Sequence, residues 1–356
     1  MTISIVQGTE LSPVDRKAWT EMQEGNPDLK NPFFRLDFIE ALARVRPTVK
    51  IAILKRGFTP IAYWPYQENT PGIATPVGEK IGCMHGVICR KGAEIDGGAL
   101  ARLCGLNAWR FDHLLGSQGI FTPYYYDQQE SPYMDLSEGF EAYCAERKAK
   151  GHSNRVLSEL GRKCRRMERE IGPLRFELAS RDPANLELLV KWKKRQMKET
   201  GRRDLFIQSP WVLPLVENTI KMENIAFSGL MSVLYLKEEP IAIHYGFRSF
   251  DYLHGIFFAF NREYSRYSPG MALVLQLVKQ AHGCGINRID MGKGDERYKQ
   301  MWKSDATPIS VGAFESRLWP TVMGRPLYKA KRAVSRSWIG EPIKRVVAQL
   351  QRVSDA

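Results

Sequence analysis

The stretch Tyr264-Ser265-Arg266-Tyr267-Ser268-Pro269-Gly270-Met271-Ala272 carries the residues best suited to hold an anion. Ser268 is a candidate helix cap, and Pro269 fits a first helical position, where its missing N–H costs nothing. Gly270 would let a ligand come close to the backbone. Amides at a helix start have no acceptor inside the helix, so they form a ready site for a phosphate or diphosphate. Arg262 and Arg266 add positive charge just before it. The plain alternative is a helix start and nothing more.

A second group lies in Asp290-Met291-Gly292-Lys293-Gly294-Asp295-Glu296-Arg297-Tyr298-Lys299. Two carboxylates and a tyrosine just past a strand end can take or give protons to a bound substrate. Tyr298 is a candidate acid or a packed tyrosine. Asp290, at a strand end, could be a base, an orienting group for the acceptor, or a turn cap. Lys293, Asp295 and Lys299 are candidate substrate contacts, although Asp295 and Lys299 could equally pair along a helix face. His244, within IAIHYGF, is a candidate general base on the grounds of an intrinsic pKa near neutrality, or else a hydrogen-bonded structural residue. Its neighbour Tyr245 is taken as a substrate contact.

These residues need elements to hold them. Three apolar runs, Gly229 to Leu236, Ile241 to Arg248 and Tyr252 to Phe260, are joined by short turns and predict an antiparallel meander. A helix from Pro269 to about His282 follows, then a strand at Ile286 to Met291, a helix around Glu296 to Lys303 and a strand at Ile309 to Phe314. Before the meander, Asp182, Pro183 and Gly201 mark the cap, first turn and end of one helix. A basic helical region spans Glu138 to Glu170, and most of its charges read as a solvated face. Toward the N-terminus, helices are expected at Val14 to Met22 and Asp37 to Val45, a hairpin at Val49 to Leu54 and Ile61 to Tyr66, and irregular chain from Gly72 to Gly98.

The 356 residues suggest two lobes. With 44% hydrophobic and 26% charged residues, most of the chain should be ordered. The formal charge of +13 favours anionic partners. No signal-like segment or long apolar run is seen, so a cytoplasmic protein is expected. The six scattered cysteines lack the spacing of a zinc site, and no metal is expected.

A meander, a phosphate-binding turn, a helix and a strand, in that order, resemble the GNAT acetyltransferases, whose diphosphate motif reads Gln/Arg-x-x-Gly-x-Gly/Ala. Tyr267-Ser268-Pro269-Gly270-Met271-Ala272 matches it at Gly270 and Ala272, with tyrosine in the first place. KRQMKETGRRDLF, PIAIHYGF, YSPGMALVLQLV and IDMGKGDERYKQMW together are similar to the CelD-type branch, related to the FemAB aminoacyl transferases. The resemblance covers roughly residues 140 to 315 well and the first lobe loosely.

It implies an α/β (α+β) fold of tandem GNAT-like lobes, each a mixed, mainly antiparallel sheet flanked by helices. The lobes are expected at 1–140, degenerate, and 141–320, catalytic, with a basic amphipathic tail at 321–356. Acetyl-CoA or another acyl-CoA is the implied co-substrate, held by Arg266 to Ala272, and Tyr298 takes the place of the tyrosine that in this family often serves as acid to the departing thiolate, with a base and N–H donors for the oxyanion completing acyl transfer. The implied acceptor is a sugar of an exopolysaccharide or its lipid-linked precursor. Long-chain acyl transfer to a lipid amine, aminoacyl transfer from tRNA, and a non-catalytic module responding to a nucleotide messenger are the alternatives. Nucleic acid is not the expected partner, and the tail offers a contact to an anionic membrane at its inner face.

Overall fold

The computed structural model describes residues 1–151 and 154–316. Its strands are β1 (Thr2–Gln7), β2 (Val49–Arg56), β3 (Thr59–Thr70), β4 (Ile73–Thr75), β5 (Ile88–Cys89), β6 (Ala108–Leu115), β7 (Tyr125–Asp135), β8 (Leu174–Glu177), β9 (Ser228–Leu236), β10 (Glu239–Ser249), β11 (Tyr252–Phe260), β12 (Arg288–Asp290) and β13 (Asp305–Glu315). Its helices are α1 (Pro13–Glu24), α2 (Leu36–Val45), α3 (Gly97–Leu103), α4 (Gly139–Ala149), α5 (Arg155–Glu170), α6 (Pro183–Glu199), α7 (Leu205–Gln208), α8 (Val212–Ile220), α9 (Pro269–Ala281) and α10 (Arg297–Trp302). None of the described helices is long and apolar enough to cross a membrane.

Two compact units divide the chain. The first takes Met1–Gln129, Met197–Asp204 and the chain from Pro308, and the second takes Glu130–Gln196 and Leu205–Thr307. In the first unit the strand order is β1-β2-β3-β4-β6-β13, with β5 beside β3. Every neighbouring pair is antiparallel except β4 and β6. In the second unit the order is β8-β9-β10-β11-β12-β7, and only β11 and β12 run parallel. The two sheets therefore repeat one plan: four antiparallel strands, a parallel fifth reached through a helix, and an antiparallel sixth. Two mixed, mainly antiparallel lobes flanked by helices were expected, and this is that architecture.

Connectivity departs from the reading by sequence order. The first stretch of the first unit runs to Gln129, and the strand expected at Ile309 to Phe314 pairs with β6 of its sheet. The sequence signals local elements, whereas strand pairing across long separations decides which sheet a strand joins. The basic region expected from Glu138 to Glu170 is two helices, α4 and α5; Gly151, at φ 78, supplies a left-handed turn between them. The stretch expected to be irregular contains the short strands β4 and β5. The expected tail at 321–356 lies outside the described residues.

In the second unit α9 buries Ala272, Leu273, Leu275, Leu277, Val278 and Ala281. These pack in one cluster with Leu157, Leu160, Cys164 and Met167 of α5 and with Leu230, Leu234 and Leu253 of the sheet. Each such leucine contributes about 1.5–3 kcal/mol by leaving water, and the shared core fixes α5 beside the start of α9.

Candidate active site

A 3-10 turn over Arg262–Tyr267 delivers the chain to Ser268, which adopts a left-handed backbone at φ 57 and ψ 54. The expected side-chain cap is absent, because that bond needs an extended cap residue. Instead the Ser268 hydroxyl accepts from Lys163 Nζ of α5 at 2.8 Å. The Ala272 amide reaches the Ser268 carbonyl at 3.0 Å and begins the helical ladder. The amides of Gly270 and Met271 have no acceptor among the described residues.

Gly270 serves a different purpose from the one expected. A Cβ there would lie 2.6 and 2.8 Å from Cε1 and Cζ of Phe258, so glycine is required for the sheet to approach the helix. Pro269 and Ala272 are buried in the same contact. Arg266 and Tyr267 are also engaged: Arg266 Nη2 donates to the Tyr267 hydroxyl at 2.6 Å, and that hydroxyl donates to Glu170 at 2.5 Å. Glu170 also accepts from Arg166 Nε at 2.6 Å. These bonds tie the turn to α5 and hold the Glu170 carboxyl below its ordinary pKa.

Strands β11 and β12 pair only at Tyr252 with Arg288, Leu253 with Ile289 and His254 with Asp290. Beyond that point Met291 donates to the Pro132 carbonyl at 2.9 Å, and β11 from Gly255 to Phe260 has no strand on that side among the described residues. Asp290 sits at this fork, fully buried. It accepts from Ser131 Oγ at 2.7 Å, Tyr252 OH at 3.0 Å and the Gly292 amide at 2.8 Å, with His254 Nδ1 at 3.6 Å. Asp290, expected as a base, an orienting group or a turn cap, ties three strands together through these bonds. His254 was not singled out from the sequence. Its parallel register with Asp290 is the signal that finds it, and that register is visible only in the fold.

His244 lies on β10, 7% exposed, and its Nδ1 has no hydrogen-bond partner. Its Nε2 is 3.0 Å from the position a Cβ on Gly255 would take, so the imidazole sits over the glycine where β11 and β12 part. Burial lowers its pKa to about 4 from 6.5, in place of the near-neutral value expected. At neutral pH the ring is uncharged and can accept a proton, but weakly. Between pH 6.5 and 4 the unfolded chain holds a proton that the folded chain lacks. Acidification through that window should therefore remove about 3 kcal/mol of stability, with no effect above it. Urea unfolding at pH 7 and pH 4.5 should show this loss in the native chain and most of it abolished in His244→Gln.

Side chains alternate along β10, so Tyr245 faces away from His244. Its hydroxyl meets Thr219 Oγ1 of α8 at 2.7 Å in full burial, which makes it a core residue and not a substrate contact. Lys299 is likewise turned inward, 5% exposed. Its ammonium donates to the carbonyls of Gly292 at 3.2 Å and Lys293 at 2.6 Å and pairs with Glu296 at 3.1 Å. It therefore clamps the loop after β12, and it pairs with Glu296. Lys293 is half-buried and Asp295 exposed on the same loop. Tyr298, on α10, is 42% exposed. Partial burial and then Glu296 push its phenol up to about 12, a shift that water screens in part, and the hydroxyl is protonated at neutral pH.

The first unit has a counterpart to α9 in α3, the helix before its own parallel strand. There Asp96 caps the helix, accepting from the amides of Gly98 at 2.8 Å and Ala99 at 3.0 Å. A carboxylate already fills the position where an anion would bind.

The repeated sheet plan, each copy with a helix bridging its parallel pair, is that of tandem GNAT-like lobes. Residues 154–300 match the family model described as the acetyltransferase (GNAT) domain. FemX shares the fold with a TM-score of 0.57 and 9% identity, over 93% of this chain and 99% of that one. The C-terminal domain (DUF2156) of a protein from Agrobacterium fabrum assigned as a lysylphosphatidylglycerol synthetase has a TM-score of 0.51 and 14% identity, over 87% of this chain and 94% of that one. A tandem GNAT protein from the clavulanic acid biosynthesis pathway has a TM-score of 0.50 and 9% identity, over 88% of this chain and 99% of that one. No curated protein matches the sequence at a significant level.

Proposed function

We propose that the chain is an acyl-CoA-dependent acyltransferase that modifies an amine or hydroxyl of a sugar in an exopolysaccharide or its lipid-linked precursor. The observation that carries this reading is the start of α9, where the Gly270 and Met271 amides have no acceptor among the described residues and Lys163 reaches the neighbouring Ser268 hydroxyl. Two amides, a helix dipole and an ammonium suit a diphosphate. Pro269 and Ala272 seat the helix, and Arg266 and Tyr267 brace the turn against α5. At the fork, His244 takes the acceptor's proton as the nucleophile attacks the thioester carbonyl. Tyr298 gives its proton to the departing thiolate, and Lys293 and Asp295 contact the acceptor.

Isothermal titration with acetyl-CoA should give one site per chain, because Asp96 occupies the corresponding helix end of the first unit. Tyr298→Phe should keep that binding while kcat falls about a hundredfold, the low end for loss of a general acid. A protein that binds no CoA, yet distinguishes charged from uncharged tRNA, would be an aminoacyl transferase instead.

One observation favours a second reading. A cavity of about 660 Å³ lies between α6 and α8, floored by Leu186, Val190, Leu213, Ile220 and Met231. Charged residues, among them Arg181, Lys191, Glu217 and Lys221, also line it, so the apolar part would take an acyl chain and the charged part a polar head. Turnover of palmitoyl-CoA above that of acetyl-CoA would decide for it.

A further inference from the structure

Helix α5 buries Leu157, Leu160, Cys164 and Met167 and turns the opposite side outward. At 3.6 residues per turn, that outer side carries Arg155, Arg162, Arg165, Arg166 and Arg169. All five are exposed. Arg155 and Arg166 are balanced by Glu159 and Glu170, each one turn further on. Arg162, Arg165 and Arg169 have no hydrogen bond or ion pair among the described residues. Three guanidinium groups without an ion-pair partner among the described residues thus follow one another over two turns, with one exposed carboxylate, Glu168, near Arg165 and Arg169.

We propose that this face of α5 docks the protein on an anionic bilayer, with the three arginines engaging lipid phosphates. The inference stands apart from the acyltransferase reading. The planar guanidinium fork matches a phosphate's oxygens, and a row of them on a straight helix fits a flat array of headgroups. The outward positions include no aromatic side chain, which a surface for single-stranded nucleic acid would use to stack bases. They include no apolar side chain either, so attachment is electrostatic and sensitive to salt. The same helix supplies Lys163 to Ser268 from its flank, so docking would hold the α9 start within about one helix diameter, roughly 10 Å, of the headgroups.

The test is co-sedimentation of the full chain with vesicles of 70% phosphatidylcholine and 30% phosphatidylglycerol, against phosphatidylcholine alone. The wild type should bind only the anionic vesicles. The triple variant Arg162→Gln, Arg165→Gln, Arg169→Gln should bind them about a hundredfold more weakly while melting within a few degrees of the wild type. A variant with Lys329, Lys331, Arg332 and Arg336 changed to Gln should still bind. Equal binding by the wild type and the triple variant, or loss confined to the second variant, overturns the proposal. So does a wild type that ignores the anionic vesicles, or one that binds duplex RNA through these arginines in preference to them.

Discussion

Asp290→Ala is expected to lower the unfolding free energy by about 3–5 kcal/mol, the range for stripping the partner from a buried, fully bonded charged group. The substitution leaves three donors without an acceptor: the Ser131 hydroxyl on β7, the Tyr252 hydroxyl on β11 and the Gly292 amide just after β12. These groups come from three neighbouring strands and are buried together with the carboxylate. Asp290→Asn keeps the shape but turns one acceptor into a donor, and an intermediate loss is expected. Urea unfolding at pH 7 measures both. A loss under about 1 kcal/mol for the alanine variant, with turnover abolished, would return Asp290 to the role of catalytic base.

Ser268→Asp should weaken acetyl-CoA binding at least about a hundredfold and leave the fold as stable as before, or more so. The new carboxylate would face Lys163 and the free amides of Gly270 and Met271, making the start of α9 electrostatically like that of α3 beneath Asp96. Like charges brought together cost several kcal/mol, which a diphosphate would meet here. An acidic residue at a helix start is otherwise stabilising by a few tenths to 1 kcal/mol. Aspartate also tolerates the left-handed backbone of Ser268 better than most residues. Opposite signs for binding and melting separate a lost ligand site from a damaged fold. Unchanged affinity by titration would remove the diphosphate from this turn.

The meander, α9 and α6 were legible because their signals are local: strand-favouring runs between tight turns, Pro269 at a first turn, and Asp182 bonding the Ala184 amide as a cap does. Burial direction was harder. His244 and Tyr245 read alike in IAIHYGF, yet alternation sends one over Gly255 and the other into Thr219. Lys299 looked like a surface cation because nothing local shows that the carbonyls of Gly292 and Lys293 curl back to receive it. Lys163 was one of many basic residues in a helical region. Only the packing of α5 on α9 distinguishes it from the arginines that point to water. Both Asp290 and its partner Ser131 were present in the sequence, 159 positions apart.

The sixth strand of each sheet has a consequence for synthesis on the ribosome. Strand β13 pairs with β6 through residues beginning at Ile309, so the first sheet stays open on that edge until almost all the described chain has emerged. The second sheet takes β7, made before any of its other strands, and must keep it available for β12 more than 150 residues later. A fragment cut at residue 140 would therefore carry away Ser131 and expose the β12 edge, leaving a sticky, half-finished sheet in place of an independent enzyme.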